Sequence, residues 1–345
     1  MKFAVLGIVC ASSLLAGAVQ ANPGQGVQVR LTAAQQQLQG DVDVVLQVSV
    51  TNTNRHPVQL LQRQLPSDEL AGALFTIYRD GQRVAYTGPL AKRMAPQADE
   101  HVRLAAGATL NYTVELTQAY DLSRNGRYSV EYQSRAGHGM GLPALKSEPL
   151  YLWLEGRSER VQTAALPPIS PAAASISYTG ACKASQQKTL ANAVAAATTY
   201  SSQSASYLSG AGSGTARYVK WFGTYTSSRW NTVASNFAEV RDAFQGAALT
   251  LDCSCKTRNT FAYVYPNQPY KIYVCGAFWN APMTGTDSKA GTLVHEMMHF
   301  NVIAGTDDWA YGQTAAANLA ISDPNKAVDN SDNHEYFAEN TPSLP

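Results

Sequence analysis

The strongest constraint in the sequence is a pair of histidines, His295 and His299, in a stretch whose apolar pattern predicts a helix over about 288–304. Thr286 or Asp287 is the expected N-cap of this helix. Residues at i and i+4 lie on one helical face with Cβ atoms about 6 Å apart, so the two imidazoles can bind one cation. Glu296 follows His295 and can reach a water molecule on that cation without being a ligand. Zinc lowers the pKa of such a water to about 7, and a carboxylate can then accept its proton. The spacing therefore predicts a zinc site with a zinc-activated water and Glu296 as general base.

A catalytic zinc needs a third protein ligand and one open position. Gly305 is expected to end the helix, because glycine tolerates the left-handed conformation of a C-terminal cap. The chain can then turn back and bring Asp307 or Asp308 under the two imidazoles. The residues alone leave that choice open.

The residues that follow the histidines extend the motif, because 305–312 reads GTDDWAYG. HExxH followed by GTxDxxYG resembles the aspzincin metallopeptidases, the family of deuterolysin and peptidyl-Lys metalloendopeptidase, over roughly 178–345. The resemblance implies a secreted zinc metalloendopeptidase with one Zn²⁺ in a mainly helical, zincin-like catalytic domain that has a small antiparallel sheet. It implies three zinc ligands: His295, His299 and Asp308.

The resemblance also implies roles for residues around the metal. Tyr311 would donate a hydrogen bond to the oxyanion that forms when the peptide carbonyl becomes tetrahedral. Asp332 and Glu335 lie at i and i+3 in a predicted helix, so their carboxylates can converge. Aspzincins that cut before lysine have an Asp and a Glu at matching places, which implies that these acids bind the ammonium of the residue after the scissile bond. Two carboxylates offset the desolvation of one cation better than one carboxylate does.

The N-terminal half, residues 22–162, is predicted to be all-β. The stretch 41–51 alternates apolar and polar residues, and Arg79-Asp80-Gly81 is a hairpin signal. Six or seven short strands separated by turns favour an antiparallel sandwich of immunoglobulin-like type. The histidines of this half are scattered without ligand spacing, which predicts no catalytic cluster here.

Residues 163–177 are rich in alanine, proline and serine and are predicted to form an exposed linker that contains the maturation site. Our hypothesis is that 22 to about 173 form a propeptide that folds against the catalytic half and blocks its cleft. The alternative is a permanently attached accessory domain. The linker has no lysine between Lys146 and Lys183, so a strictly lysine-directed enzyme would not cut it.

The cysteines indicate disulfides in an exported protein. Cys10 leaves with the predicted signal peptide, and an even number remains, which allows three pairings. A bridge between neighbours two residues apart is the least plausible, because the geometry is rarely met. The resemblance implies the pairs Cys182–Cys253 and Cys255–Cys275.

The first 21 residues are typical of a signal peptide: Met1-Lys2, an apolar run, and small residues before a cleavage site after Ala21. No later stretch is apolar enough to span a bilayer, so we expect a secreted protein without membrane contact after signal removal. The formal charge of +1 indicates no nucleic-acid partner. The expected partners are protein or peptide substrates and the chain's own propeptide, and a monomer is expected.

After the linker, helical patterns at 185–208 and 229–244 precede short aromatic and β-branched runs, so the whole chain is predicted to be α+β. Zinc peptidases typically bind an extended substrate along the edge of such a sheet. Two alternatives stay open: a deuterolysin-like zinc peptidase of broad specificity, and a secreted binding module with a structural zinc. Structural zinc normally has four protein ligands, and only three are well spaced here.

Overall fold

The computed structural model describes residues 26–67, 70, 72–134, 142–159, 169–210 and 212–345. The predicted signal peptide 1–21 and residues 163–168 of the predicted linker lie outside these residues. No helix in the described ranges is both long and apolar enough to cross a membrane.

The described part of the N-terminal half is built of strands and contains the hairpin expected at Asp80-Gly81, where both residues have positive φ. Its strands are β1 (Val27–Thr32), β2 (Gln37–Gln39), β3 (Val45–Asn52), β4 (Val58–Leu61), β5 (Phe75–Arg79), β6 (Gln82–Arg83), β7 (Leu90–Arg93), β8 (His101–Leu104), β9 (Thr109–Glu115), β10 (Gly126–Tyr132) and β11 (Leu150–Glu155).

Two sheets of this half share one core, as expected for stacked sheets with alternating side chains. Their orders are β1-β3-β9 and β2-β11-β10-β5-β6. Val48 and Val114 of the first sheet belong to the same buried cluster as Ile77, Val130 and Leu152 of the second. β2 and β11 pair in parallel, which departs from the all-antiparallel sandwich that we expected. The immunoglobulin-like assignment stays a prediction.

The C-terminal half is mainly helical, as predicted, and its helices surround four strands. The elements are β12 (Ser175–Thr179), α1 (Ala184–Gly210), α2 (Ala216–Phe222), α3 (Ser227–Gly246), β13 (Ala248–Asp252), β14 (Thr260–Val264), β15 (Lys271–Val274), α4 (Gly276–Asn280), α5 (Lys289–Met298), α6 (Gln313–Ser322), α7 (Pro324–Val328) and α8 (Ser331–Glu339).

The sheet of this half is mixed, so the prediction of a small antiparallel sheet was wrong. Its order is β12-β13-β15-β14-β7, with β12, β13 and β15 parallel and β14 antiparallel to both its neighbours. β12 and β13 can be parallel because α1 to α3 form the long crossover that parallel neighbours require. Short aromatic runs show that strands exist but carry no information about their direction.

The predicted linker boundary is also corrected, because β12 begins at Ser175, inside 163–177. Ile176 and Tyr178 pack against the core of the C-terminal half, and β12 pairs with β13 over its full length. The alanine- and proline-rich surroundings concealed this short alternating strand. The C-terminal unit therefore begins before the expected residue 178.

Two disulfides tie this sheet together, with the pairings that the resemblance implies. Cys182–Cys253 joins the ends of β12 and β13, and Cys255–Cys275 joins the segments after β13 and β15. Loss of a native disulfide typically costs about 2–5 kcal/mol, so these links stabilise the parallel part of the sheet, β12, β13 and β15.

The edge of the sheet comes from the other half of the chain. β7 pairs antiparallel with β14, with Leu90 opposite Val264, Ala91 opposite Tyr263 and Lys92 opposite Ala262 on the two strands. The sheet β12-β13-β15-β14-β7 is called the shared sheet below.

Candidate active site

Helix α5 holds the two motif histidines and is shorter than predicted. Ser288 caps its start by accepting a hydrogen bond from the Gly291 amide, so the expected cap at Thr286 or Asp287 was wrong by one or two residues. The helix ends at Met298 and not near 304, because the chain after it turns: the Gly305 amide donates to the Phe300 carbonyl.

The turn back happens where the sequence predicts it. Gly305 has φ of +59°, the left-handed conformation that glycine adopts at low cost. The next residues run under the two imidazoles. Asp308 faces them, whereas Asp307 accepts a hydrogen bond from Arg83 at 3.0 Å.

Three ligand atoms form a small triangle at this point. The two Nε2 atoms of His295 and His299 lie 3.1 Å apart, and Asp308 Oδ1 lies 3.2 Å from the first and 3.4 Å from the second. Bonds of about 2.0–2.1 Å in tetrahedral geometry place ligand atoms about 3.3–3.4 Å apart. The three side chains are buried. The donor set and its spacing therefore fit a zinc ion.

The far nitrogens of both imidazoles have polar partners that orient the rings. His299 Nδ1 donates to the Thr306 carbonyl oxygen at 2.7 Å, and His295 Nδ1 lies 2.9 Å from Asp332 Oδ1. The hydrogen bond to Thr306 fixes the tautomer of His299 and leaves its Nε2 free for a metal. Burial works to lower the pKa of His295, but the nearby carboxylates, Asp308 first, raise it well above its ordinary value.

Asp308 is strongly acidic in this setting. Burial works to raise its pKa, and the attraction of His299 and His295 outweighs burial and lowers the pKa below its usual range. A permanently ionised carboxylate beside two imidazoles is a suitable donor for a divalent cation.

Glu296 lies beside the triangle and is fully buried. Burial raises its pKa to about 7, and the two histidines act in the opposite direction. Its Oε1 accepts a hydrogen bond from the Lys92 amide at 2.9 Å, and its Oε2 has no hydrogen-bond partner among the described residues. A general base works best with a pKa near the working pH, so this carboxylate is suited to proton transfer.

Tyr311 lines a cavity of about 430 Å³ together with Asp308 and residues of the N-terminal half. The guanidinium of Arg63 lies 5.1 Å from the centre of its ring. Burial raises the pKa of Tyr311 well above 10, with a further contribution from Asp308, so its hydroxyl keeps its proton. A protonated phenol near the triangle can donate a hydrogen bond.

The structure brings Asp332 and Glu335 together, and a lysine lies between them. Lys92 of β7 places Nζ 2.6 Å from Glu335 Oε2, 3.6 Å from Asp332 Oδ1 and 3.0 Å from Asp287 Oδ1. Its side chain is fully buried. These residues form the lysine pocket: Asp287, Asp332 and Glu335.

Aromatic rings complete the pocket walls. The centres of Phe261 and Tyr336 lie 5.1 Å and 5.4 Å from Lys92 Nζ, which is cation–π distance. Burial works to lower the pKa of Lys92, but the carboxylates of Asp332 and Glu335 raise it well above its ordinary value. The pocket therefore holds a charged ammonium.

Lys92 and Asp287 were missed by sequence reasoning. Asp287 was considered only as a helix cap, although its carboxylate accepts a hydrogen bond from Tyr336 Oη at 2.7 Å and faces the pocket. Lys92 carries no spacing signal, because its partners lie about two hundred residues away in the chain.

Known proteins that are similar to this chain are proteases, which agrees with a zinc site formed by the two histidines and Asp308. The aspzincin family model, described as lysine-specific metallo-endopeptidase, matches residues 207–339. The chain is 44% identical over 343 residues to an extracellular protease of Aeromonas hydrophila, covering 96% of this chain and 97% of that one. It is 36% identical over 349 residues to the peptidyl-Lys metalloendopeptidase of Grifola frondosa, covering 95% and 96%.

A third relative is shorter. The peptidyl-Lys metalloendopeptidase of Pleurotus ostreatus is 48% identical over 163 residues, which are 47% of this chain and 96% of that protein. Similarity over nearly the full length of the first two relatives, together with the family motif at one buried centre, establishes the family. The chain belongs to the aspzincins, zinc metalloendopeptidases that hydrolyse peptide bonds.

Proposed function

We propose that this chain is a secreted zinc endopeptidase that is made as an inactive precursor and cuts peptide bonds on the amino side of lysine. The observation that carries the proposal is the buried ammonium of Lys92, which lies in a carboxylate pocket beside the histidine pair. Export through the signal peptide 1–21 is supported by the relative named extracellular protease.

In this proposal, zinc is held by three side chains whose donor atoms fit it: His295, His299 and Asp308. When bound, zinc polarises a carbonyl and lowers the pKa of water. Glu296 takes the proton of the attacking water and delivers it to the leaving nitrogen, a role supported by its 2.9 Å hydrogen bond from a backbone amide. Tyr311 donates a hydrogen bond to the oxyanion.

The preference for lysine follows from the pocket. A substrate lysine that replaces Lys92 places its ammonium between Asp332 and Glu335, with Asp287 as a third carboxylate. Both carboxylates approach His295 Nδ1, Asp332 Oδ1 at 2.9 Å and Glu335 Oε2 at 3.4 Å, so loss of Asp332 would disturb the metal site more. Glu335 is therefore the cleaner probe of specificity.

The proposal of an inactive precursor is supported by the position of β7, which covers the candidate active site. β7 occupies the free edge of β14, which is where an extended substrate adds a strand to a sheet. Lys92 fills the pocket at the same time, so no second lysine can enter. The peptidyl-Lys metalloendopeptidase of Pleurotus ostreatus matches 47% of this chain over 96% of its own length, which supports a catalytic unit that needs about half of the chain.

The function is tested by peptide mapping. The secreted protein is incubated with a lysine-containing protein with and without a zinc chelator, and the products are identified by mass spectrometry. We expect new fragments that begin with lysine, and their loss with chelator. Cleavage that persists without metal contradicts a zinc peptidase, and fragments without a lysine bias favour the broad-specificity alternative.

Glu335→Gln is expected to lower kcat/KM for cleavage before lysine by about 10–100-fold, because a charge-assisted hydrogen bond contributes about 1.5–3 kcal/mol. The measurement is the ratio of kcat/KM for matched peptides with lysine or methionine after the scissile bond. Glu339→Gln is the matched control one turn further along α8. Glu339 accepts hydrogen bonds from Ser288 and from the Asp287 amide and makes none with Lys92, and burial followed by Glu335 raises its pKa to about 9. An unchanged ratio in Glu335→Gln contradicts the pocket assignment.

A further inference from the structure

The strand that covers the site lies in the orientation of a substrate. β7 is antiparallel to β14, and the pairing continues beyond the strand, where the Met94 amide donates to the Asn259 carbonyl at 3.1 Å. The backbone is thus held on both sides of the metal site. A segment presented for cleavage needs backbone contacts on both sides of the scissile bond, and β7 has them.

The side-chain pocket identifies one peptide bond. In the proposed function, the lysine pocket binds the residue that follows the scissile bond. The peptide bond on the amino side of the lysine in the pocket is then the scissile bond. Lys92 is fully buried there, with its Nζ 2.6 Å from Glu335. The bond so marked is Ala91–Lys92.

The backbone contacts identify the same bond independently. The Lys92 amide nitrogen donates to Glu296 Oε1 at 2.9 Å, and the Ala91 amide donates to Asp308 Oδ2 at 3.3 Å. The peptide unit between these two nitrogens is the one that joins Ala91 to Lys92. It therefore lies between the general base and the aspartate of the triangle.

We propose that the Ala91–Lys92 peptide bond is the first cleavage site of the precursor and is cut by its own active site. This proposal rests on the proposed function. The oxygen of one water molecule bonds to the Ala91 carbonyl carbon, and the bond from that carbon to the Lys92 nitrogen breaks. Glu296 takes a proton from the water and gives it to that nitrogen. The second proton of the water also passes to that nitrogen, so the products are a carboxylate at Ala91 and an ammonium at Lys92.

This cut explains how a lysine-directed enzyme can begin its own maturation. The linker region contains no lysine between Lys146 and Lys183, whereas Lys92 is already in place. Cleavage divides β7 into two chain ends, each of which keeps only part of the pairing with β14. Each end can then leave the edge without the other, which opens the site to external substrates.

The test uses the full-length precursor, purified without zinc and then given Zn²⁺. Fragments are sequenced from their N-termini over time at several protein concentrations. We expect an early fragment that begins at Lys92. The fraction of precursor cut per unit time should not change with protein concentration, because the cleavage takes place within one chain. Lys92→Ala should lose this fragment. Lys146→Ala should keep it, because Lys146 is an exposed lysine of the same half.

A metal-free measurement guards against misfolding of Lys92→Ala. In the zinc-free wild-type precursor, an amine-acylating reagent should modify Lys146 and leave Lys92 unmodified until the protein is denatured. Ready modification of Lys92 overturns the proposal without any variant.

The remaining outcomes separate the two proposals. If matured enzyme cuts external proteins before lysine but no precursor fragment begins at Lys92, self-cleavage at this bond is overturned and the proposed function stands. A rate that rises with protein concentration overturns cleavage within one chain. If no external peptide is cut before lysine, both proposals fail.

Discussion

Glu296→Gln lowers peptide turnover by about 10²–10⁴-fold while leaving the zinc content unchanged: this is the expected result for a general base that is not a metal ligand. Glutamine has the shape of glutamate, so the hydrogen bond from the Lys92 amide can still be accepted. It has no carboxylate to take a proton from water. The loss should therefore fall on kcat, with little change in KM.

The measurement needs the same maturation for both proteins, because the variant should also fail to process itself. A recognition sequence for an unrelated protease, inserted within 160–168, allows wild type and variant to be cut identically. Turnover of a lysine peptide and zinc by elemental mass spectrometry are then compared. Full turnover in the variant contradicts the assignment of Glu296, and loss of zinc indicates that it acts as a ligand.

The metal motif was accessible from sequence because its parts are close in the chain. His295 and His299 are related by the pitch of one helix, and Asp308 follows after a turn whose position Gly305 indicates. Local chain geometry determines how these three residues lie relative to one another. The prediction that they lie together therefore held although the predicted end of α5 was wrong. Asp332 and Glu335 were predictable as a pair for the same reason.

The placement of β7 over the candidate active site could not be predicted from the sequence in this way. Pairing of β7 with β14 joins Lys92 to Ala262, and no local pattern connects two such distant strands. A single lysine in a β-rich half is normally a solvated side chain, and its burial depends entirely on the pocket it enters. The predicted strand directions in the shared sheet were wrong for a related reason. A run of apolar residues does not indicate whether a strand lies parallel or antiparallel to its neighbour.

The precursor hypothesis nonetheless came from composition before any contact was known. The structure gives this hypothesis a physical basis, because one strand from the N-terminal half occupies the edge of β14 and places Lys92 in the lysine pocket. In the proposed precursor, Asp332 and Glu335 would thus bind both the lysine of a substrate and Lys92 of the N-terminal half. Specificity and inhibition can thus be altered by one substitution.

Asp308→Ala is expected to lose zinc, and with it activity, because it removes one of three donor atoms that lie within 3.4 Å of one another. Even loss of an outer partner of a metal ligand weakens metal affinity by about 10–100-fold, and loss of a ligand should exceed that. Zinc content after dialysis and the rise in Tm on adding Zn²⁺ are the two measurements.

The neighbouring aspartate supplies the control. Asp307 differs from Asp308 by one position but pairs with the half-exposed Arg83, a contact that typically contributes about 0–1 kcal/mol. Asp307→Ala should therefore keep both the zinc and the Tm response. If Asp307→Ala lost zinc and Asp308→Ala retained it, the third ligand would be Asp307, which the sequence alone left open as a candidate. The catalytic centre would then need a turn after Gly305 different from the one described.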